Sequence, residues 1–302
     1  MSNAKAIITL LRLPFMTVTI GAILLGSFFA YHETGSFNIL HFVLALLGSC
    51  FFHIATNAAN DYFDFKSGND AANISATSPF SGGSRMVLEG LLKPGKALAI
   101  SLIFAALGSF MGLYLNFATK GNVVLVIGIL GLIFVYGYNG RPLQLVNIGL
   151  GEIAIFLAWG PLMVLGAYYV QAQSFQTVWP FIVAIPSGIM TTLVLLINEF
   201  ADKDADTSTG RKTWVIVFGE QKALILYMIL AYLCFVIVAA GVWLDRFPLW
   251  SLLVGITIIM PLQTYKIARN SLADWGKFLG AVKNTILMNL LFLVILSVSF
   301  LF

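Results

Sequence analysis

Two short segments of the chain combine carboxylates and carboxamides at helical spacing. The first, NAANDYFDFKSGND at residues 57–70, holds three Asp and three Asn directly after a long apolar run. The second, NEFADKDADTSTGRKT at residues 198–213, has the same arrangement, in which an Asn is followed four residues later by an Asp. Residues four apart lie on one face of a helix. Each segment therefore predicts a cluster of oxygen ligands at the end of a helix.

The donor types in these segments indicate which ligand they bind. Oxygen donors without His or Cys suit a hard divalent cation, and magnesium before zinc or copper. Mg²⁺ needs only one or two carboxylates when substrate phosphates complete its coordination. Two facing Asp clusters therefore predict a diphosphate bridged by metal ions. The sequence contains no Walker-type glycine loop, so a nucleoside triphosphate is not the expected ligand. The basic residues available to such a diphosphate are Arg85, Arg141, Arg211 and Lys212.

The composition predicts that the elements carrying these segments lie in a membrane. The 302 residues are 59% hydrophobic and 10% charged, with a mean hydropathy of +0.93, whereas soluble domains are about a quarter charged. The first apolar run is not a cleaved signal peptide, because it has no small-residue cleavage site and further runs follow at once. Runs long enough to span a bilayer lie at roughly 10–31, 39–59, 97–118, 122–138, 153–171, 178–198, 223–243, 247–266 and 284–302.

The basic residues predict the orientation of these nine spans. Of the 17 Lys and Arg residues, only Lys120 and Arg246 fall on the side opposite the N-terminus. The positive-inside rule therefore places the N-terminus in the cytoplasm and the C-terminus outside. Spans two and six then both run inward, so both acidic segments lie at the cytoplasmic C-terminal ends of helices. Carboxylates there are disfavoured by about 0.3–1 kcal/mol each, and a compensating positive charge is expected.

Other function classes fit these features less well. The net charge of +4 comes from loops that flank the membrane, so it does not indicate nucleic-acid binding. Cys50 and Cys234 lie inside spans without metal-type spacing. A carrier for an anionic lipid remains an alternative, since intramembrane carboxylates also mark ion-coupled carriers. Carriers place such charge near the midplane at broken helices, whereas here it lies at the rim, which favours an enzyme.

We therefore expect an all-α membrane protein with nine transmembrane helices in a single bundle. Residues 1–302 form one domain, and the recurrence of the acidic segment four spans later suggests that helices 1–4 and 5–8 are related halves. The loop at 75–96 is long, with Gly82 and Gly83 as possible hinges and the apolar stretch MVLEGLL. These features predict a lid, and an interfacial anchoring segment is the alternative.

The acidic segments resemble the two aspartate motifs of the UbiA-type intramembrane prenyltransferases. The resemblance covers essentially the whole chain and is strongest to the 1,4-dihydroxy-2-naphthoate polyprenyltransferases of menaquinone synthesis. Where many members of the wider family carry a further Asp, this chain has Gly68, with Asp70 two residues later. Their first motif, Asn-x-x-Asn-Asp-Tyr-x-Asp, is matched by Asn57, Asn60, Asp61, Tyr62 and Asp64, and their second by Asn198, Asp202, Asp206 and Gly210.

The resemblance implies Mg²⁺-dependent transfer of a polyprenyl group from its diphosphate to an aromatic acceptor. The partners it implies are polyprenyl diphosphate, that acceptor and membrane lipid, with no nucleic acid. The catalytic residues implied are Asp61, Asp64, Asp202 and Asp206. The implied metal ligands are Asn60, Asp64, Asp202 and Asp206, and the implied diphosphate-binding residues are Asn57, Arg85, Asn198, Arg211 and Lys212.

The acceptor site follows from the chemistry of a dihydroxynaphthoate. Its carboxylate needs a cation set apart from the Asp clusters, and Arg141 is the only basic residue in the loop between spans four and five. Glu152, at the start of span five, is available as a base or hydrogen-bond partner for an acceptor hydroxyl. Another acceptor, or cyclisation of the prenyl chain, remains an alternative. We expect a multi-pass protein of a prokaryotic cytoplasmic membrane, with its active site facing the cytoplasm.

Overall fold

Helices are the only regular secondary structure in the residues that this computed structural model describes, which are 9–12, 15–73 and 83–302. We number these helices in chain order. They are α1 (Met16–Thr34), α2 (Ile39–Ser67), α3 (Asn69–Ala72), α4 (Pro94–Ala118), α5 (Val123–Gly137), α6 (Gly151–Ala172), α7 (Trp179–Ser208), α8 (Trp214–Phe218), α9 (Glu220–Trp243), α10 (Met260–Asn270) and α11 (Trp275–Ser299). Short 3₁₀ turns cover Leu145–Ile148 and Leu249–Thr257.

The predicted helical membrane architecture is confirmed. Within the described ranges, seven helical segments are long and apolar enough to cross a membrane, as judged by length and composition. Each predicted apolar run overlaps a helix, but α5 is apolar over only 15 residues. The number of nine crossings and the cytoplasmic N-terminus therefore stay predictions. The seven segments are α2, α4, α6, α7, α9, Leu249–Asn270 and α11.

The two helices that carry the acidic segments are longer than their apolar runs. The apolar runs end near residues 59 and 198, but α2 continues to Ser67 and α7 to Ser208. Both extensions carry polar side chains that form hydrogen bonds or ion pairs within the protein. The helices therefore continue beyond their apolar residues. Gly68 ends α2 in the left-handed conformation (φ 80°) that glycine adopts without a Cβ clash.

Helix α7 lies at the centre of the molecule and brings its acidic segment with it. In its most apolar stretch 78% of the residues are buried, against 22% for α4. It crosses α6 closely, since a Cβ on Gly188 would lie 2.6 Å from the carbonyl oxygen of Phe156. At this crossing α6 has a π turn over Ala158–Leu162, and the Ser187 hydroxyl donates to the Trp159 carbonyl at 2.8 Å. The crossing fixes Trp159 in the wall of the cavity described below.

The predicted lid is only partly within the described residues, because 74–82 lie outside them. After Gly83, the apolar residues Met86, Val87 and Leu92 pack against α2, α4 and Leu10. These contacts hold the later part of the segment against the helix that carries the first acidic segment. Its movement on ligand binding stays a prediction.

Candidate active site

Asp61 joins three parts of the chain. It accepts a hydrogen bond from Arg12 Nη2 at 2.7 Å and from the Ser84 backbone N–H at 3.2 Å, and the Ser84 hydroxyl also donates to it. Gly83 lies against this group at φ +71°, where a Cβ would be 2.8 Å from Arg12 Nη2. The buried Asp61 carboxylate therefore ties the segment before α1, and the segment after Gly83, to α2.

A single guanidinium bridges the two acidic segments. Arg211 Nη2 donates to Asp64 Oδ1 on α2, and Arg211 Nη1 donates to Asp206 Oδ1 on α7 at 3.2 Å. Burial opposes the charge of Arg211, but these two carboxylates more than offset it and raise the pKa of the guanidinium above its usual value. The predicted convergence of the two clusters is therefore observed, and Arg211 supplies the positive charge expected between them.

The residues after α2 supply amide donors to the second acidic segment. Asn69 Nδ2 donates to Asp206 Oδ1 at 2.8 Å and to Thr209 Oγ1 at 2.9 Å. Asn73 Nδ2 donates to Asp202 Oδ1 at 2.6 Å, and Arg85 Nη1 holds the Asn73 carbonyl at 2.7 Å. These bonds offset the cost of placing carboxylates at the negative end of α7, and they join the two segments a second time.

Asp70, on α3, has a buried carboxyl group without a hydrogen-bond donor in the described part of the chain. Burial, with the nearby charges of Asp64 and Asp61 adding to it, raises the pKa of Asp70 to about 8. Asp70 is therefore protonated at neutral pH until a cation or donor reaches it.

A cavity of about 340 Å³ begins at the acidic segments and continues into the apolar interior. Along α2 its lining runs from Asp64 to Leu44, a distance of about 30 Å at 1.5 Å per residue. The polar lining consists mainly of Arg12, Asn57, Asn60, Asp64, Asn69, Asn198, Glu199, Asp202, Asp206 and Arg211. The apolar lining includes Val18, Ile23, Phe52, Leu115, Ile127, Phe134, Trp159 and Met163.

A hydrogen-bonded group lies partway along the apolar lining. The Trp159 Nε1–H donates to Thr19 Oγ1 at 3.0 Å, and Thr19 Oγ1 lies 2.6 Å from His53 Nδ1. The group joins α1, α2 and α6 around the cavity. Its polar atoms are paired with one another, which leaves the surrounding wall suited to an apolar chain.

Most of the predicted site residues lie in this cavity, but five do not. Among the described residues its lining includes Asn57, Asn60, Asp64, Asn198, Asp202, Asp206 and Arg211. Arg141 and Lys212 are exposed outside the cavity. The other three are held elsewhere by their own contacts: Asp61 by Arg12 and Ser84, Arg85 by the Asn73 carbonyl, and Glu152 by the backbone N–H of Trp214.

Four residues that were not predicted from the sequence either line the cavity or contact the second acidic segment. Arg12, Asn69, Asn73 and Glu199 belong to this group. A signal for Arg12 was present, because a single Arg interrupts the apolar LLRLPF. Tyr138 also lines the cavity, and burial together with the charges of Glu199 and Glu152 raises its pKa well above 10. Its hydroxyl therefore stays protonated and can act as a donor.

The donor set fits magnesium carried by a phosphate better than a metal in a protein cage. Among the described residues, no three His, Cys, Asp or Glu side chains converge on one point as a ready-made metal site. The cavity nevertheless offers oxygen donors on Asn60, Asp64, Asp202 and Asp206, and the unpartnered oxygens of Asp70 lie close by. Mg²⁺ needs few protein ligands when phosphate and water complete its shell, so these residues fit it.

Comparison with known proteins identifies the architecture. Residues 19–295 match the model of the UbiA prenyltransferase family. The chain belongs to the UbiA prenyltransferase family. As a UbiA member it is a prenyltransferase, and with its apolar helices it is an integral membrane protein.

Two curated UbiA relatives share most of the chain. A 1,4-dihydroxy-2-naphthoate octaprenyltransferase of Bacillus subtilis is 26% identical over 287 residues, which cover 95% of this chain and 89% of that protein. A 2-carboxy-1,4-naphthoquinone phytyltransferase of Synechocystis is 27% identical over 257 residues, covering 84% and 79%. A solved UbiA homolog from Archaeoglobus fulgidus, bound to GPP and Mg²⁺, superposes with a TM-score of 0.66 at 16% identity, covering 97% and 99%. The solved structure establishes the shared fold.

Proposed function

We propose that this prenyltransferase moves a polyprenyl group from polyprenyl diphosphate to 1,4-dihydroxy-2-naphthoate, in a reaction that requires Mg²⁺ and belongs to quinone synthesis. The observation that carries the proposal is the shape and polarity of the cavity. Its polar end holds both acidic segments and two arginines, and the rest of its lining is mostly apolar. That arrangement suits a molecule with an anionic head and a long apolar tail.

The residues at the polar end would hold the diphosphate and its metal ions. Asp64, Asp202 and Asp206, with the Asn60 side chain, would hold Mg²⁺. When bound there, Mg²⁺ would neutralise negative charge on the departing diphosphate. Arg211 is placed to bind a phosphate oxygen through its planar fork of donors.

The rest of the chain keeps the reactive carbon away from water. The apolar lining leaves few water-binding groups around the prenyl chain, and aromatic rings such as Phe134 and Trp159 line it. Aromatic faces stabilise a cation by about 0.5–2 kcal/mol each. We expect the mouth of the cavity to face the cytoplasm of a prokaryote and the segment at 75–96 to cover it.

The acceptor part of the proposal is supported by the names of relatives. Both curated relatives described above act on a naphthalene ring that carries a carboxylate, although their prenyl chains differ. Their named acceptors share a carboxylated bicyclic ring at two oxidation levels, whereas their prenyl groups differ, so the acceptor end is the better guide to this chain's role.

The test offers one radiolabelled polyprenyl diphosphate with Mg²⁺ to the purified protein in lipid nanodiscs. Separate reactions contain 1,4-dihydroxy-2-naphthoate, 4-hydroxybenzoate or no acceptor, and products are identified by mass spectrometry. Asp64→Asn serves as the inactive control. We expect a carbon-linked prenyl naphthalene product only with the naphthoate. Transfer only to 4-hydroxybenzoate would overturn the acceptor, and an absence of transfer to either would overturn the reaction.

A further inference from the structure

Glu199 is a buried carboxylate in the cavity wall whose oxygens have no well-formed hydrogen bond within the described part of the chain. It is 4% exposed and lies on α7 directly after Asn198. Its side chain lines the cavity, and the nearest polar groups, the Val215 backbone N–H and the Glu152 carboxyl, do not complete a hydrogen bond of normal geometry to either carboxylate oxygen. Buried polar atoms in native proteins nearly always have a partner. Glu199 therefore indicates a hydrogen-bond donor that arrives with a ligand.

Two further polar atoms of residues that line the cavity also lack a hydrogen-bond partner in the described part of the chain. Asn198 Oδ1 and Thr213 Oγ1 are buried, and both residues line the cavity. Neither atom has a hydrogen-bond partner in the described ranges. Together with Glu199, they form a polar patch that accepts hydrogen bonds from a ligand with one or more hydroxyl groups.

The patch lies deeper than the diphosphate end of the cavity. Glu199 precedes Asp202 by three residues and Asp206 by seven on α7. At 1.5 Å per residue, Glu199 is about 4.5 Å and about 10 Å farther along the helix from these two carboxylates. When a prenyl diphosphate is bound as proposed above, Glu199 lies at the level of the first carbons of the prenyl chain. The acceptor must approach these carbons because the new bond forms there.

Glu152, unlike Glu199, is not among the residues that line the cavity. Its side chain is 1% exposed, its Oε1 accepts from the Trp214 backbone N–H, and its Oε2 has no partner among the described residues. The carboxyl groups of Glu152 and Glu199 are close enough to interact directly. Each of the two buried carboxyl groups disfavours ionisation of the other. Such a pair can accept a proton and return it.

We propose that Glu199 is the catalytic base that takes the hydroxyl proton of the aromatic acceptor, with Glu152 as the residue that positions it. This inference rests on the proposed function and refines it, because the sequence offered Glu152 as a base or hydrogen-bond partner for the acceptor hydroxyl. Glu199 replaces it because Glu199 reaches the cavity and Glu152 does not.

The step balances without any further reagent. The acceptor O–H bond breaks and its proton moves to Glu199, while the ring carbon next to that hydroxyl forms a C–C bond to the allylic carbon. The allylic C–O bond breaks, and its electron pair leaves with the diphosphate. The resulting dienone then loses the proton on the alkylated carbon to the released diphosphate, and Glu199 returns its proton to the ring oxygen. The products are the prenylated phenol and protonated diphosphate.

This chemistry defines the acceptor class as an aromatic ring with a hydroxyl group beside the carbon that is alkylated. Removing the hydroxyl proton raises the electron density of that carbon, so the base acts on nucleophilicity as well as on binding. A ring without such a hydroxyl leaves the oxygens of Glu199 unpaired and is not a substrate.

The experiment compares Glu199→Gln, Glu199→Asp and Glu152→Gln with the wild type in nanodiscs. Glu89→Gln, at an exposed position outside the cavity, is the matched control. Each protein is assayed with a fixed polyprenyl diphosphate, Mg²⁺ and a series of hydroxynaphthalenes whose hydroxyl pKa values differ. Values of kcat and of both KM constants are measured for every acceptor.

We expect Glu199→Gln to lower kcat by about a hundredfold, within the usual range for loss of a general base. The KM for the prenyl diphosphate should change less than about threefold, in contrast to a variant of the metal site. The loss should shrink as the acceptor hydroxyl becomes more acidic, because an ionised acceptor needs no base. Glu199→Asp should recover part of the rate, and Glu152→Gln should lower kcat by about tenfold.

Several results would overturn the assignment. A loss that is the same for every acceptor, or that falls on the prenyl-diphosphate KM, would make Glu199 a structural or metal-site residue. Wild-type transfer with an unimpaired Glu199→Gln would overturn this inference alone, whereas no wild-type transfer to any hydroxynaphthalene would overturn the proposed function with it. If Glu199→Gln does not fold, Glu199→Asp is used in its place and must show a loss of kcat that shrinks as the acceptor hydroxyl becomes more acidic. If Glu199→Asp shows no such dependence, Glu199 is not the catalytic base.

Discussion

The acidic segments on α2 and α7 share their spacing in the sequence but differ in what their carboxylates contact. On α7, both Asp202 and Asp206 line the cavity. On α2, only Asp64 does so, and Asp61 is held by Arg12 and Ser84. Equal spacing therefore does not give the carboxylates equal roles.

The difference arises from what packs against each helix end. The end of α2 is covered by the segments around Arg12 and Ser84, which bind Asp61. The end of α7 is approached by the neutral amides of Asn69 and Asn73, and Asp206 also pairs with Arg211, the cation that it shares with Asp64. The related halves inferred from sequence stay a prediction, but their acidic ends have diverged.

The largest effect is expected where both segments reach the cavity. Asp64→Asn and Asp202→Asn should each lower turnover at least about a hundredfold, the scale of losing one electrostatic contact to the transition state. Initial rates at limiting and at saturating Mg²⁺ measure this, together with thermal unfolding to show that folding is intact. Asp204→Asn, at an exposed position of α7, is the charge-matched control and should stay within twofold. Near-normal turnover of either cavity variant at limiting Mg²⁺ would rule out a metal site shared by the two segments.

The bridge between the segments should have the next largest effect. Arg211→Ala should raise the KM for prenyl diphosphate about tenfold, since a charge-assisted hydrogen bond is lost, while Lys212→Ala changes it little. Without Arg211, Asp64 and Asp206 are buried without their shared cation. The thermal midpoint of Arg211→Ala should therefore depend more on Mg²⁺ than that of the wild type. Equal midpoints with Mg²⁺ and with EDTA would contradict this.

Asp61 should matter for stability more than for chemistry. Asp61→Asn leaves Arg12 in a largely buried position without its carboxylate, and breaking such a pair costs about 3 kcal/mol. We expect a lower thermal midpoint and a turnover within tenfold of the wild type. A double-mutant cycle with Arg12→Ala should show coupling between the two positions. A loss of turnover equal to that of Asp64→Asn, at unchanged stability, would return Asp61 to the catalytic set.

The last prediction concerns Asp70 and the pH dependence of stability. Its pKa is raised to about 8 in the folded protein, above the usual value of about 3.9 in an unfolded chain. Its contribution to stability is therefore complete below about pH 4 and is lost as the pH rises toward about 8. In metal-free samples the thermal midpoint of the wild type should fall relative to Asp70→Asn across that range. A difference between the two proteins that does not vary with pH would show that Asp70 is ionised throughout.

Helices were the most predictable part of this molecule because apolar runs report directly on membrane burial. The predicted runs missed the polar ends of α2 and α7, which continue through Asp64 and Asp206, and the first turns of α11, which begins at Trp275 and not near residue 284. Several residues on α2 and α7 were predictable as cavity-lining residues, since their spacing fixed a shared face, and their roles stay predictions. The positions of Arg141 and Lys212 outside the cavity were not predictable, because a basic residue in a loop gives the same sequence signal whether it lines a cavity or faces solvent.

Contacts between distant segments were beyond the reach of sequence reasoning. Arg12 and Asp61 are 49 residues apart, and Asn73 and Asp202 are 129 apart. Neither pairing has a local signal in the sequence. The distinction between Glu152 and Glu199 is of the same kind, since both are acidic residues near the end of a helix and only the packing of α6 against α7 decides which one reaches the cavity.

The positions of Arg12 and Arg211 in the chain have a consequence for biosynthesis. Arg12 is made before Asp61, so the partner of that carboxylate already exists when α2 leaves the ribosome. Arg211 follows Asp64 by 147 residues, and at roughly 5–20 residues per second its synthesis takes about 7–30 s longer. During that interval Asp64 has been translated and Arg211 has not. A nascent chain stalled before residue 211 lacks the cation that joins α2 to α7, which makes this stage a point at which cellular quality control can recognise an unfinished protein.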